Sequence, residues 1–431
     1  MAQYTTTGNQ ANLARIIDRT SLFEPAEREK KRFWDDIKDA KGVENRGTGV
    51  YFRIVGNMGH GVGNPDEGGD MSVARTHTAA ECVVTGTPID SVIEVSKEFI
   101  DSSQGEGSYA VDADAERIAQ AARQLLQYAD ILMGTGFAAG AIAYVEGAVT
   151  TSATIPLRWP EGAYQLRVNM VVDVVTSGHS IEAAAVTILD INYGSGAALT
   201  ASIVVNTTTN LTDDSGVYIT GQFGNRFPNG RRNIVDDGTL AATLFGVTRS
   251  SNTFMNGYVD NGAGAPEDFT EQKVRTFLDG LTLRQDFHAP TQLCSNKGLA
   301  NAYAEFQTKD RVFMITGAGV PGGVGGINQE KLAFAYGDSK IPWYVDSNLP
   351  ARELYAEYRP GYQKHVKAKP DWFRAEPGGP IFQLAIATTT AQHYKYAYVG
   401  SMYMDVNISH RYPSGNGVRK NFKDPNVGPD A

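Results

Sequence analysis

DADAERIAQAARQLLQYADILMG, residues Asp112–Gly134, is the segment that most clearly indicates how this chain folds. Its apolar residues recur at steps of three and four, which predicts an amphipathic helix. The apolar positions are Ile118, Ala121, Ala122, Leu125, Ala129 and Leu132, and the polar ones are Glu116, Arg117, Arg123, Gln127 and Asp130. Asp112 is a suitable N-cap, and Gly134 can adopt the left-handed conformation that ends a helix. Such a helix would be about 30 Å long and could form the spine of a domain, although an ordinary core helix fits the same residues.

The composition of the whole chain is that of a globular protein. A length of 431 residues suggests two or three domains, and 42% hydrophobic residues can supply a core. The formal net charge of -9 argues against a protein that holds nucleic acid through a broad basic surface. Cys82 and Cys294 lie far apart in the sequence, which favours two buried thiols in a reducing compartment over a disulfide framework or a cysteine zinc site.

The N-terminal region predicts an arm followed by a short helix. It lacks the basic and apolar parts of a signal peptide, and no stretch of the chain reaches the roughly 18 apolar residues of a membrane span. Pro25 stands at a helix start, after which Phe33, Trp34 and Ile37 form a narrow apolar stripe among mixed charges. We therefore expect a second amphipathic helix that docks through Trp34.

Alternation typical of β-strands begins near residue 47. The two alternating sets are Val50, Phe52 and Ile54, and Tyr51, Arg53 and Val55. A glycine-rich segment from Gly56 to Asp70 follows, and alternation resumes at Met71. This pattern predicts a long two-stranded excursion. An isolated hairpin is marginal in water, so its stability should come from packing against another molecule or another part of this chain.

Residues 143–224 contain no convincing helix. Strand-like runs are separated by Gly, Ser, Asn and Asp clusters about every 10 residues, the spacing of a small barrel or sandwich. The runs are TSATIPL, LRVNMVVDVV, EAAAVTILDI, LTASIVVN and GVYIT. No acidic and histidine cluster marks a site here, so we interpret the segment as an inserted structural or contact module.

The second half of the chain predicts an α+β mixture. The segment from Phe227 to Val247 is rich in turns, and EDFTEQKVRTFLDGLTL is an amphipathic helix. Its buried residues are expected to be Phe269, Val274, Phe277, Leu278 and Leu281. PTQLCSNKGLANAYAEF predicts a strand end and then a helix, and RVFMI predicts a short buried strand. Near the end, alternating residues predict long strands that could form a floor beneath the spine helix. These residues are Tyr394, Tyr396 and Tyr398 and then Met402, Met404, Val406 and Ile408. The tail from Tyr412 is expected to be loosely ordered.

Motifs for chemistry are weak. Gly317, Gly319 and Gly322 have the spacing of a dinucleotide fingerprint, but Pro321 and the glycines that follow prevent the helix that the motif needs, so a mobile loop is favoured. Asp286 and His288 could meet a metal ion, yet a lone Asp-x-His more often holds a hydrogen-bonded histidine. Walker loops and serine nucleophile elbows are absent from the sequence. The sequence thus predicts no catalytic, cofactor-binding or metal-binding residue.

The order of these parts resembles the major capsid protein of tailed double-stranded DNA bacteriophages, the Hong Kong 97-type shell fold. The segments that carry the resemblance are RRNIVDDGTLAATLFGVTRSSN with the helix after it and DFHAPTQLCSNKGLANAY, then KIPWYVDSNLPARELYAE, and finally DWFRAEPGGPIFQLA. The first pair is similar to the family's axial domain, the next to a strand that turns back before Asp346, and the last to its closing hairpin. The resemblance covers nearly the whole chain and lies mainly in the order of the segments.

The resemblance implies an α+β fold with a long spine helix, an extended β-loop, an axial domain and an inserted small β-barrel-like domain. The expected divisions are 1–46 for the arm, 47–85 for the extended loop, 86–142 and 346–431 for the peripheral domain, 143–225 for the insertion and 226–345 for the axial domain. Candidate assembly contacts are Trp34, Arg53, His60, Asp66, Glu67, Asp70 and Arg75. Deleting Gly56 to Asp70 is expected to leave the subunit folded but to block assembly.

The resemblance also implies partners and a location. Copies of the chain would form pentamers and hexamers of an icosahedral shell, in the virion, after assembly in the host cytoplasm. A separate scaffolding protein and a portal protein are expected, with a decoration protein as an option, DNA only loosely contacted, and no cofactor or membrane. Two other functions stay open: a nucleotide- or metabolite-binding enzyme that uses the loop Gly317–Gly326, and the shell of a bacterial nanocompartment.

Overall fold

The structure is a computed structural model in which strands and helices both occur, as the α+β prediction expects. It describes residues 32–40, 45–46, 49–57, 78–96, 123, 125–134, 141–158, 163, 166–176, 180–193, 201–221, 228–239, 241–262, 266–284, 289–310, 332–337, 339–346, 349–350, 352–373, 383–386 and 394–423. In chain order the helices are α1 (Arg32–Asp36), α2 (residues 125–134), α3 (Arg231–Val235), α4 (Glu271–Arg284) and α5 (Lys297–Asp310).

The strands fall into several sheets. In chain order they are β1 (Asn45–Arg46), β2 (Gly49–Asn57), β3 (Thr78–Thr85), β4 (Thr87–Ser96), β5 (Ala143–Tyr144), β6 (Val149–Pro156), β7 (Val171–Val175), β8 (Ile181–Asn192), β9 (Ser202–Leu211), β10 (Gly216–Ile219), β11 (Thr243–Leu244), β12 (Val247–Thr248), β13 (Tyr258–Asp260), β14 (Gln292–Ser295), β15 (Ala333–Tyr336), β16 (Ser339–Val345), β17 (Leu354–Glu357), β18 (Tyr362–Trp372), β19 (Gln383–Ile386), β20 (Tyr394–His410) and β21 (Gly417–Arg419). Contacts divide the chain into unit 1 (Met1–Asp35, Gly86–Asp130 and His365–Val406) and unit 2 (Asp36–Thr85, Ile131–Lys364 and Asn407–Ala431).

Unit 1 is built on the long strand β20. Strand β4 pairs antiparallel with it from Thr87 opposite Val406 to Ser96 opposite Ala397, and the Thr87 hydroxyl donates to the Val406 carbonyl at 2.6 Å. Met402, Met404 and Val406 are buried, as the alternation of apolar residues predicted.

The spine helix is helical wherever the structure describes it, and residues 112–122 lie outside the described residues. Leu125, Ala129 and Leu132 are buried, as predicted. The prediction that Asp130 belongs to the polar face is wrong, because this residue is only 2% exposed. Its carboxylate accepts a hydrogen bond from the backbone N–H of Trp34 at 2.6 Å, so it satisfies a donor at the N-terminal end of α1.

A six-stranded mixed sheet forms the main core of unit 2, in the order β13-β21-β17-β14-β16-β15. Helices α4 and α5 cover it. Of the five residues predicted to be buried in this helix, Val274, Phe277, Leu278 and Leu281 are buried there with Leu299, Tyr303, Trp343 and Phe422. The fifth, Phe269, precedes α4 and is only partly buried. The strand and helix expected around Cys294 are β14 and α5, which confirms that prediction.

The tail does not match its prediction over its described part. Strand β21 pairs with β13 and β17 inside the core sheet, and Phe422 is fully buried. Arg419 forms ion pairs with Asp260 and Glu267. The tail is therefore ordered up to Lys423, because apolar side chains and one arginine anchor it. Its high content of Gly, Pro and Asn led to the wrong prediction.

The predicted β insertion forms a sheet that closes on itself, which we call the closed sheet (residues 141–221). Its order is β5-β10-β7-β8-β9-β6, and Val145 pairs with Leu157 to join the two ends. Backbone hydrogen bonds from Arg158 to Tyr144 and from Glu146 to Pro156 complete the closure. Its interior is apolar, with Ile155, Val172, Val174, Ile188, Ile203, Val205, Leu211 and Val217 all buried.

The segment RRNIV, predicted to be loop, forms the short helix α3, which is wholly buried. Arg249 makes this possible, because its guanidinium donates to the carbonyls of Asn233 and Asp236 at the helix end. Burial lowers the pKa of Arg249 to about 10, with Asp236 acting against that shift, so the guanidinium stays charged at neutral pH. A helix this short needs such partners because its own turn provides few hydrogen bonds.

Candidate functional site

The hairpin of β2 and β3 has two faces of different character. Its register pairs Val50 with Val84, Phe52 with Cys82 and Ile54 with Ala80 on one face, which we call the inner face. Tyr51 opposite Val83, Arg53 opposite Glu81 and Val55 opposite Ala79 form the outer face. The alternation predicted from the sequence is thus present, and each face presents one set of side chains.

The inner face is covered by residues 243–256 of the same chain, which we call the clasp. The ring of Phe245 lies edge-on to that of Phe52, with centroids 5.5 Å apart, and the Val83 N–H donates to the Phe245 carbonyl at 2.9 Å. Phe254 packs directly over Gly56, where a side chain would collide with its ring. Of the two sources of stability left open by the sequence, another part of the chain is therefore the one observed for this face.

Cys82 lies at the centre of the inner face and is fully buried. Burial raises the pKa of its thiol to about 12. Because the thiolate is the reactive form of cysteine, Cys82 acts as a small apolar residue of the hairpin. This agrees with the burial predicted from the sequence.

The outer face is exposed and largely apolar. Tyr51 and Val55 are each 42% exposed. Arg53 and Glu81 are both exposed and stand directly opposite each other, an arrangement that stabilises paired strands by roughly 0.2–1 kcal/mol. Apolar side chains around one pair of opposite charges suit contact with another protein surface.

Trp34, the predicted contact of the arm, is half-buried, and its neighbour Phe33 is the buried apolar residue of α1. Docking of the helix in unit 1 thus depends on Phe33 and on the hydrogen bond from Trp34 to Asp130. No sequence motif marks Asp130, since its spacing is that of a solvent-facing residue.

A second set of charged residues is clustered around α3 in unit 2. Arg231 forms ion pairs with Glu357 at 2.7 Å and with Asp346 at 3.0 Å. The Cys294 thiol donates to Glu357 at 3.5 Å, and burial, followed by the charge of Glu357, raises the pKa of that thiol well above its usual range. Residue types of this kind are common in active sites. Here, however, all four side chains are nearly inaccessible to solvent, and they pair with one another inside the core.

Several residues singled out in the sequence lie outside the described residues. They are His60, Asp66, Glu67, Asp70 and Arg75 of the extended loop, the Asp286 and His288 pair, and the Gly317–Gly326 loop. Arg53 is described and lies on the outer face. Within the described ranges, no group of three or more His, Cys, Asp or Glu side chains could hold a metal ion. In the same part of the chain, each helix lacks the combination of length and apolar character needed to cross a bilayer.

Comparison with known proteins gives matches among solved structures. No protein-family model matches the sequence, and no curated protein does either. The chain is similar to a chain of the cyanophage A-1(L) capsid asymmetric unit, with 10% identity, a TM-score of 0.47 and coverage of 95% of this chain and 97% of that one. It is also similar to the capsid of a native GTA particle, with 12% identity, a TM-score of 0.48 and coverage of 98% and 100%. An encapsulin of Synechococcus elongatus matches at 8% identity and a TM-score of 0.37, with coverage of 100% and 99%.

Proposed function

We propose that this protein is the subunit of an icosahedral virus shell that assembles from many copies of the chain. In this proposal α2 is part of the spine helix, the β2–β3 hairpin is the base of the extended loop, the core sheet with α4 and α5 is the axial domain, and the closed sheet is the insertion. The division of the chain into arm, loop, axial, inserted and peripheral parts follows the ranges expected from the sequence.

The outer face of the hairpin is the observation that carries the proposal. Its inner face is already covered by the clasp, so the hairpin is folded on its own subunit and its exposed side chains serve another purpose. Tyr51 and Val55 present apolar surface beside the Arg53–Glu81 pair. A contact made by these few side chains is small compared with a standard interface of about 800 Å² per partner. It suits a closed assembly, in which many modest contacts repeat by symmetry.

The partners and location follow from the same proposal. The chain acts without catalysis or a cofactor, in a virion shell that encloses double-stranded DNA, with a separate scaffolding protein, a portal protein and, as an option, a decoration protein. The net charge of -9 supports only loose contact with DNA, since tight non-specific binding needs many basic residues at phosphates. A bacterial nanocompartment shell is the second candidate, and it would use the same outer face.

The test removes the apolar side chains of the outer face and counts particles. Purified wild-type chain is expected to form closed particles or capsomer rings by negative-stain microscopy and light scattering. The double variant Tyr51→Ser and Val55→Ser is expected to keep the melting temperature of the unassembled subunit but to reduce particle yield about tenfold or more, since about 1.4 kcal/mol per contact already gives that factor.

The matched control is Thr276→Ser, which changes an exposed side chain on α4 and leaves the exposed apolar surface almost unchanged. Its particle yield should equal that of the wild type. Normal yields from the hairpin variant would show that the outer face is not an assembly contact. A wild-type chain that remains a monomer and is stabilised by a nucleotide would overturn the shell function in favour of a ligand-binding enzyme.

A further inference from the structure

The closed sheet meets the core of unit 2 through arginines and carboxylates, a contact that we call the joint. Arg352 of the core forms an ion pair with Glu146 of the closed sheet at 3.0 Å. Arg232 of α3 approaches Asp214 at 3.5 Å, and its guanidinium lies 4.8 Å from the centroid of the Tyr144 ring. The core thus supplies cations and the closed sheet supplies carboxylates and an aromatic ring.

Both carboxylates are also held within the closed sheet by a single arginine, Arg158. Its Nε lies 3.2 Å from Oε2 of Glu146, and its Nη1 lies 2.7 Å from Oδ1 of Asp214. The other oxygen of each carboxylate, Oε1 of Glu146 and Oδ2 of Asp214, faces the core arginine. Each carboxylate therefore keeps an arginine partner even when the core side of the joint is removed.

The two arginines on the core side also keep favourable surroundings when the joint opens. Arg232 is nearly inaccessible to solvent and forms a second ion pair with Glu353 at 3.1 Å, while the Arg352 side chain is partly exposed and can be hydrated. Removing one partner of a buried ion pair is strongly destabilising because the other charge is left without compensation. At this joint, separation leaves each buried charge with an opposite charge on its own side.

Two of the seven non-glycine residues with positive φ in the described part of the chain lie at the joint. Asp214 has φ 63° and Arg352 has φ 67°, both in the left-handed region that residues other than glycine rarely occupy. One lies on each side of the contact. Strained positions of this kind persist where the surrounding structure holds them, and they cluster at elements that switch between arrangements.

The closed sheet needs no strand from the core to complete it. Its two ends are joined through Val145 and Leu157, and its interior is apolar.

From these observations we propose that the joint opens reversibly. The closed sheet then separates from the core and binds to it again, and it stays folded throughout. This lets one chain present the same module in more than one orientation. The proposal rests on the geometry of the joint and is independent of the shell function.

The experiment is limited proteolysis of the full-length, unassembled chain with thermolysin, with cleavage sites mapped by mass spectrometry. The variant Arg352→Gln removes one core partner and leaves the pairing of Glu146 with Arg158 intact. It should increase cleavage in the two stretches of sequence on either side of the closed sheet, near residues 134–141 and 221–228, about three- to fivefold, as expected for the loss of one partly exposed ion pair. Strands β6 to β9 should stay uncut.

Two further variants make the result decisive. Arg275→Gln removes an exposed ion pair with Glu271 within α4 and should leave the cleavage rate unchanged. Arg158→Gln removes the partner inside the closed sheet and should expose β6 to β9 to the protease. The proposal is overturned if Arg352→Gln behaves like Arg275→Gln, or if it leads to cleavage within β6 to β9, because the closed sheet would then depend on the core for its fold.

Discussion

At the scale of single residues, Asp214 links charge to stability. Burial acts to raise the pKa of its carboxyl group, but Arg232 and Arg158 outweigh that effect and lower the pKa below the usual 3.8. A carboxylate whose pKa is lowered by folding stabilises the folded state above its unfolded pKa, and this contribution is lost as the pH falls through the folded value.

We therefore predict that Asp214→Asn lowers the free energy of unfolding at pH 7 by about 1–3 kcal/mol, the usual effect of losing hydrogen bonds to a charged group. The difference from the wild type should begin to shrink below about pH 4, near the unfolded pKa of an aspartate. Urea unfolding of the dilute subunit from pH 7 to pH 3 measures this. Asp268→Asn, at a carboxylate that is 80% exposed, is the control and should show little difference at any pH. A constant difference down to pH 3 would contradict the prediction.

The burial of the two cysteines was predictable from the sequence, and the burial of charged residues was not. Cys82 and Cys294 are buried, as predicted from the lack of flanking residues that would activate a thiolate. Asp130 and Arg231 are buried against expectation, because their partners come from distant parts of the chain: the N–H of Trp34 for Asp130, and Glu357 and Asp346 for Arg231. Hydrophobic periodicity indicates which face of a helix or strand is buried. It carries no information about which polar groups of the core could pair with a charged residue on that face.

At the scale of elements, the hairpin and the clasp form one packed unit. Phe254 covers Gly56, and Phe245 contacts Phe52 on the same inner face. We predict that Gly56→Val lowers the stability of the subunit by about 1–3 kcal/mol, the range for overpacking a tight contact. Hydrogen exchange in β2 and β3 should become faster in the variant, because the inner face loses its cover.

The control for this prediction is Ala79→Val, which enlarges a side chain on the outer face of the same hairpin. Valine suits an exposed strand position, so neither stability nor exchange should change for the worse. Unchanged exchange in Gly56→Val would mean that the clasp does not stabilise the hairpin.

The sequence predicted strands and helices well where their period is long and uninterrupted. The strands of the closed sheet and the buried residues of α4 are examples. It failed for α3 and β21. Helix α3 depends on Arg249 to satisfy its final carbonyls, and β21 is a three-residue strand held by its neighbours β13 and β17. Short elements carry too little local signal because their stability comes from the rest of the fold.

At the scale of the whole molecule, the proposed assembly sets net charge, which acts against it, against the outer face of the hairpin, which we expect to favour it. Each copy carries a formal charge of -9, so copies repel over a screening distance of about 30 Å at 0.01 M salt and about 8 Å at 0.15 M. The apolar attraction through Tyr51 and Val55 does not weaken over this range. We predict that the protein concentration needed for particle formation falls about tenfold or more between these two salt concentrations, measured by light scattering.

The Tyr51→Ser and Val55→Ser variant carries the same net charge as the wild type. It therefore distinguishes the effect of charge repulsion from that of apolar attraction. Its particle yield should stay about tenfold or more below that of the wild type at both salt concentrations, because screening removes repulsion without creating attraction. Assembly that weakens as salt is added would mean that pairs of opposite charge, such as Arg53 of one copy with an acidic residue of the next, hold the copies together. A shell of chains with this composition is therefore expected to form when repulsion between copies has been screened enough for small apolar contacts to decide the outcome.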